Sequence, residues 1–251
     1  MTLSIAFSGK GGTGKTTLSG MLVRYLVEKD KTPILAVDAD SNYNLNEVLG
    51  IEVSSTLGEV REDMKKGHVP SGMTKDRFMD MQLEQAIIES ENFDLVVMGQ
   101  PEGQGCYCAA NTLLSGFMQK LVNNYDYIVM DNEAGMEHIS RLTTRNIDYL
   151  LIVSDPSRRG LQAAQRIKDL AENLSIGVQK IYLILNNLRA PVSDNLRSFI
   201  DDSGLELLGQ IYADETIQEF DLNGRPTFEL PNDNESLQQA YILFDSLFNG
   251  S

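Results

Sequence analysis

The chain has 251 residues, 42% of them hydrophobic and 23% charged, and a formal net charge of −15. That length suits one α/β domain around a well-buried core, so residues 1–251 are expected to form a single domain. The acidic balance argues against a nucleic-acid partner, which is held by Lys and Arg facing phosphates. No apolar run approaches the ~18–20 residues of a membrane span, so no membrane partner is expected.

The amino terminus, Met1-Thr2-Leu3-Ser4-Ile5, runs straight into a strand pattern, without the basic start and small-residue cleavage site of a signal peptide. A cytoplasmic location is the expectation. The first apolar run, Ser4 to Phe7, reads as a buried strand. Directly after it comes GKGGTGKTT at residues 9–17, in which Gly9, Gly14, Lys15 and Thr16 satisfy the pattern GxxxxGK[ST]. Glycines let the backbone adopt positive φ and turn its N–H groups toward phosphates, and the helix that follows adds the positive end of its dipole. Gly9, Gly11, Gly12, Thr13, Gly14, Lys15, Thr16 and Thr17 are therefore expected to hold a nucleoside triphosphate. In this reading Lys15 reaches the β- and γ-phosphates and Thr16 ligates magnesium. Lys10 is not needed to cradle phosphates within one chain, and its plain alternative is a solvated surface lysine.

Leu18, Met21, Leu22, Tyr25 and Leu26 have helical spacing, and Pro33 to Val37 reads as the second strand. Asp38-Ala39-Asp40 follows, placing two carboxylates at the strand end where open α/β sheets bind ligands. Ser54 to Ser90 is irregular, with Gly67, Pro70 and Gly72 among charged residues, and reads as short helices in a long excursion. Leu95 to Met98 is the third strand, followed by GQPEGQGCYC at residues 99–108 and a helix expected to begin near Ala109. Cys106 and Cys108, the chain's two cysteines, are too few for a disulfide framework, and so close a pair points to metal or redox chemistry. A thiolate at a helix amino terminus is stabilised by the dipole and ligates soft metals, but two thiolates are half a tetrahedral site.

Tyr127 to Met130 is a strand closing on Asp131, the arrangement in which a carboxylate holds magnesium through water. Asn132 to His138 follows, with His138 read either as a polar contact or as an auxiliary ligand outside the main metal site. Strands Tyr149 to Val153, Ile181 to Leu185 and Leu207 to Ile211 continue the series, with helical spacing at Leu161, Ala164, Ile167, Leu170 and Ala171. Leu237, Tyr241, Phe244 and Phe248 form the apolar stripe of a closing helix. Apolar strands alternating with amphipathic helices predict a doubly wound, mostly parallel α/β sheet of seven to eight strands, covered on both faces.

GKGGTGKT resembles the deviant phosphate loop of the MinD/ParA family of dimeric ATPases, which includes the iron protein of nitrogenase. The resemblance implies that Lys10 reaches across a two-fold axis to a partner's nucleotide, so that ATP binding and homodimer formation are coupled. It further implies that Asp40 orients the attacking water and Asp38 lies near the magnesium shell. Gly135 matches the glycine of the second switch, and Asn186 the position that contacts adenine. Lys10, Lys15 and Asp40 are then the expected catalytic residues, acting on Mg·ATP and yielding ADP.

PEGxGCYC at residues 101–108, DNEAGMEH at 131–138 and DPSRRGLQAAQRI at 155–167 are similar to the CooC-type ATPases of nickel insertion. Ser41 departs from the proline of many relatives. The resemblance implies a client enzyme, carbon monoxide dehydrogenase or acetyl-CoA synthase, and nickel at a Cys-x-Cys pair completed by the partner's pair. Four thiolates accept zinc as well as nickel. Two other readings are an iron-sulfur electron carrier like the nitrogenase iron protein and a MinD/ParA-type positioning ATPase.

Overall fold

The computed structural model describes residues 2–65, 72–99, 116, 117, 119, 121, 123–132, 147–173 and 177–249. Strand β1 (Leu3–Gly9) leads through the glycine loop into α1 (Lys15–Glu28), and β2 (Ile34–Asp38) follows. The excursion holds α2 (Leu45–Leu49), α3 (Leu57–Lys65) and α4 (Lys75–Gln85), then β3 (Ile87–Glu89) and β4 (Asp94–Val97). After β5 (Tyr127–Asp131) and β6 (Ile147–Ser154) come α5 (Arg158–Asn173), β7 (Val178–Leu188) and α6 (Asp194–Ser203). The chain closes with β8 (Leu207–Tyr212), α7 (Glu215–Leu222), a short 3-10 turn at Thr227–Glu229 and α8 (Glu235–Asn249).

The strands form one sheet of eight in the order β3-β4-β2-β5-β1-β6-β7-β8. Every pairing is parallel except β3 with β4. Continuous apolar sequence is what this topology needs, because the central strands are covered on both faces. Ile5 and Phe7 of β1 join α1 and α8 on one face, whereas Ala6 joins α5, α3 and α4 on the other. Tyr25 of α1 stacks on Phe248 of α8 at 5.7 Å and meets Tyr241 and Phe244 edge-on, fixing the two helices to each other.

The eight-stranded, doubly wound architecture agrees with the expectation of a mostly parallel sheet of seven to eight strands. Two details differ. Strand β3 lies inside the segment read as irregular, and β7 runs to Leu188, so Asn186 sits within that strand rather than just beyond it. The helix expected near Ala109 lies outside the described residues.

Strand β1 has β5 on one side and β6 on the other, and the chain leaves it first toward β2 and later toward β6. Such a reversal opens a crevice at the carboxyl ends of the strands. Gly9, Asp38 and Asp131 all lie at those ends.

Candidate nucleotide site

The loop from Gly9 to Gly14 is shaped by backbone constraints that only glycine meets cheaply. Gly14 has φ 90°, and a Cβ at Gly9 would lie 2.2 Å from the Val153 carbonyl oxygen. Thr13 is buried; its hydroxyl donates to the Lys10 carbonyl at 2.8 Å, closing the loop on itself. Helix α1 starts with the Leu18 N–H donating to the Gly14 carbonyl at 3.0 Å, so the N–H groups of Lys15, Thr16 and Thr17 fall in its first turn, where helices leave N–H groups unpaired.

Lys15 is almost enclosed, 8% exposed, whereas Lys10 and Gly11 are exposed. Thr13 also accepts from β7, the Asn186 Nδ2 donating to its carbonyl at 2.8 Å. Asn186 thus supports the loop from the side, and its amide lies 2.3 Å from where a Cβ on Gly14 would stand.

Asp131, at the end of β5, is 2% exposed and lies beside α1. It accepts a hydrogen bond from Thr16, and Ser19 Oγ approaches its Oδ1 at 3.4 Å. Burial pushes its carboxyl up to about 7, and the nearby Asp38 charge adds to the rise while Thr16 and Lys15 oppose it. Asp38 is fully buried, and burial pushes it up to about 6. Its Oδ1 accepts from the Asp40 N–H at 3.0 Å, and its Oδ2 accepts from Asn44 and Leu45 N–H at 3.0 and 2.8 Å. Asp38 therefore ties down the turn that carries Asp40, which is partly exposed and accepts from the Asn42 N–H at 2.8 Å.

These carboxylates and Thr16 fit a magnesium ion: two desolvated acids with raised pKa stand beside a hydroxyl and a triphosphate loop. A divalent cation offsets the burial cost that raises the Asp131 carboxyl above the usual carboxylate range. Thr16 and Asp131 would hold it, and bound there it would neutralise charge on the β- and γ-phosphates.

A cleft of about 500 Å³ runs from Gly12, Gly14, Lys15, Thr16 and Thr17 past Asn186 to Tyr212, Asp214, Ile217 and Gln218. One end is formed by the glycine loop and the first turn of α1, and the other is walled by the end of β8 and the start of α7.

Of the residues singled out in the sequence, the structure brings Gly9 to Thr17, Asp38, Asp40, Asp131 and Asn186 together at the carboxyl end of the sheet. Cys106, Cys108, Gly135 and His138 lie outside the described residues. Among the described residues, no group of three or more His, Cys, Asp and Glu could hold a metal ion, and no helix is long and apolar enough to cross a membrane. Sequence reasoning missed Ser19, whose only signal is its place four residues after Lys15, and the lining residues Tyr212, Ile217 and Gln218.

A family model described as the CobQ/CobB/MinD/ParA nucleotide binding domain matches residues 4–228. An uncharacterized ATP-binding protein of Methanocaldococcus jannaschii is 39% identical over 249 residues, 98% of each chain. The carbon monoxide dehydrogenase accessory protein CooC of Rhodospirillum rubrum is 32% identical over 244 residues, 91% of this chain and 90% of that one. Among solved structures, the septum site-determining protein MinD of Pyrococcus horikoshii, complexed with Mg-ADP, superposes with a TM-score of 0.73 at 25% identity. That match covers 98% of this chain and 96% of the other.

Proposed function

The chain belongs to the CobQ/CobB/MinD/ParA nucleotide-binding family, and from that premise we propose that it is an ATP-dependent metallochaperone that delivers nickel to a client enzyme. It is an ATPase. The phosphate loop holds the triphosphate, Lys15 and the first turn of α1 carry its negative charge, and Thr16 with Asp131 hold magnesium. Asp40, on the turn braced by Asp38, orients the attacking water. Gly135 senses the γ-phosphate, and Asn186 contacts the adenine while bracing Thr13.

Lys10 carries the coupling. It stands exposed beside a phosphate site whose own charge is already met by Lys15, which suits it to a second chain's nucleotide. Two protomers closing on two Mg·ATP bring two Cys106-x-Cys108 pairs to one axis, and four thiolates complete a site for a soft divalent ion. Nickel is the cargo and zinc a competitor for it. Hydrolysis reopens the dimer and releases the ion to carbon monoxide dehydrogenase or acetyl-CoA synthase in the cytoplasm.

The observation that supports nickel delivery over other family roles is the similarity to CooC along nine-tenths of the chain, with the Cys-x-Cys pair present. Equilibrium dialysis against Ni²⁺ tests it. Wild type with Mg·ATP is expected to retain one ion per two chains. A Cys106→Ala, Cys108→Ala double variant that retains as much would exclude the proposed site.

A further inference from the structure

The end of β5 is held to β1 by Asn132, the residue that follows Asp131. Its side-chain Nδ2 carries two hydrogens and donates to two carbonyls, Phe7 of β1 at 2.9 Å and Met130 of its own strand at 3.4 Å. Its backbone N–H also donates to the Phe7 carbonyl, at 3.2 Å. Asn132 is 1% exposed, so these bonds are shielded from water. They begin where the ladder stops, because the last pair between β1 and β5 is Phe7 with Asp131.

One amide therefore brackets Asp131. It binds the carbonyl of Met130, the residue before it, and the carbonyl of Phe7, the residue paired with it on β1, two residues ahead of the phosphate loop at Gly9. Both bonds constrain the Asp131 backbone, and with it the direction in which the carboxylate leaves the strand. From the α1 side the same carboxylate meets Thr16 and Ser19. A metal ligand is only as well placed as the groups that orient it, and here the orienting group is a buried amide one residue away. We infer that Asn132 is a positioning residue that acts through Asp131 and sets how tightly the site takes magnesium together with the nucleotide. The inference rests on the reading that Thr16 and Asp131 hold that ion.

Asn132→Leu and Asn132→Ser each remove the Nδ2 donor and keep the backbone N–H, one with an apolar side chain of similar size and one with a smaller polar one. Affinity for a fluorescent ATP analogue is measured with excess Mg²⁺ and with EDTA, on both variants, wild type and Asp131→Asn. Affinity in EDTA needs the phosphate loop but not the ion, and in both Asn132 variants it is expected to stay at the wild-type level, which also shows that they are folded. Affinity with Mg²⁺ is expected to fall about ten-fold in both, the lower end of what losing a residue that orients a metal ligand costs. A purely structural role would weaken both affinities together. That result, or Mg²⁺-dependent affinity unchanged in both variants while Asp131→Asn loses it, overturns the inference and leaves the magnesium reading intact. An Asp131→Asn protein that binds the analogue with Mg²⁺ as wild type does overturns both.

Discussion

Asp131 shows at the scale of one residue how the empty and loaded forms of the site differ in what they demand of a side chain. Its carboxyl is raised from 3.8 to about 7, chiefly by burial, so the folded chain favours the protonated form more than the unfolded chain does. The stability this contributes is complete below about 4 and is lost as pH rises through about 7. Asp38, raised to about 6, acts in the same direction. Asp131→Asn removes the charge at every pH and keeps the shape. The nucleotide-free variant is therefore expected to be more stable than wild type at pH 8, on the order of 1–3 kcal/mol, with the advantage shrinking toward pH 4. Urea unfolding across that range reads it, and an advantage independent of pH would deny that burial of the charge is the cause. The same variant should lose ATP hydrolysis by about 100-fold or more, since the magnesium site depends on that charge.

The residues that the sequence exposed are those whose chemistry is local. Gly9 to Thr17 and Asp131 could be read because a motif or a strand end places them without help from distant chain. Ser19 and Asn234 could not. Ser19 looks like any polar helix residue until α1 is laid beside β5, and the link from Asn234 to Asp214 exists only once α7 and α8 start side by side.

At the scale of elements, α1 joins the phosphate end of the site to the rest of the molecule. Arg24, on its third turn, is 6% exposed and reaches three partners. Nε donates to Glu28 at 2.7 Å, Nη1 to the Leu230 carbonyl at 2.7 Å, and Nη2 to Asn232 Oδ1. It straps α1 to the segment that leads into Asn234 and α8. Arg24→Ala strands the Leu230 carbonyl and unpairs Glu28, which should cost about 2–4 kcal/mol in urea unfolding. A change below about 0.5 kcal/mol would mean that water replaces the guanidinium freely.

The seven strands expected from apolar runs are all present, because a strand buried on both faces must be apolar throughout. Strand β3 escaped because it has three residues at the sheet edge, is only partly buried and pairs on one side alone. Its pattern carries too few positions to separate it from a loop. Asn186 was placed after β7 because the apolar run stops at Leu185, yet the backbone pairing continues to Leu188 through irregular register. Hydrophobicity marks burial, whereas hydrogen bonding sets where a strand ends.

At the scale of the whole molecule the proposed function involves two chains. For the proposed function, ATP would have to favour the closed dimer by about 5.5 kcal/mol to carry the population from 1:99 to 99:1, and that difference has to come from contacts made only in the closed state. In the proposed dimer, Lys10 meeting the partner's phosphates and four thiolates gathering one ion would be two such contacts, each strengthening the other through the shared closure. The proposed function requires that this closure depend on nucleotide and build the metal site. Sedimentation with metal analysis, run with and without Mg·ATP on wild type and on Lys10→Ala, tests it most directly. Wild type is expected to form a dimer holding one nickel per two chains only when ATP is present, and Lys10→Ala to bind ATP yet stay monomeric and metal-poor. A wild-type chain that remains monomeric with ATP, or a Lys10→Ala chain that pairs and binds nickel as wild type does, would contradict it.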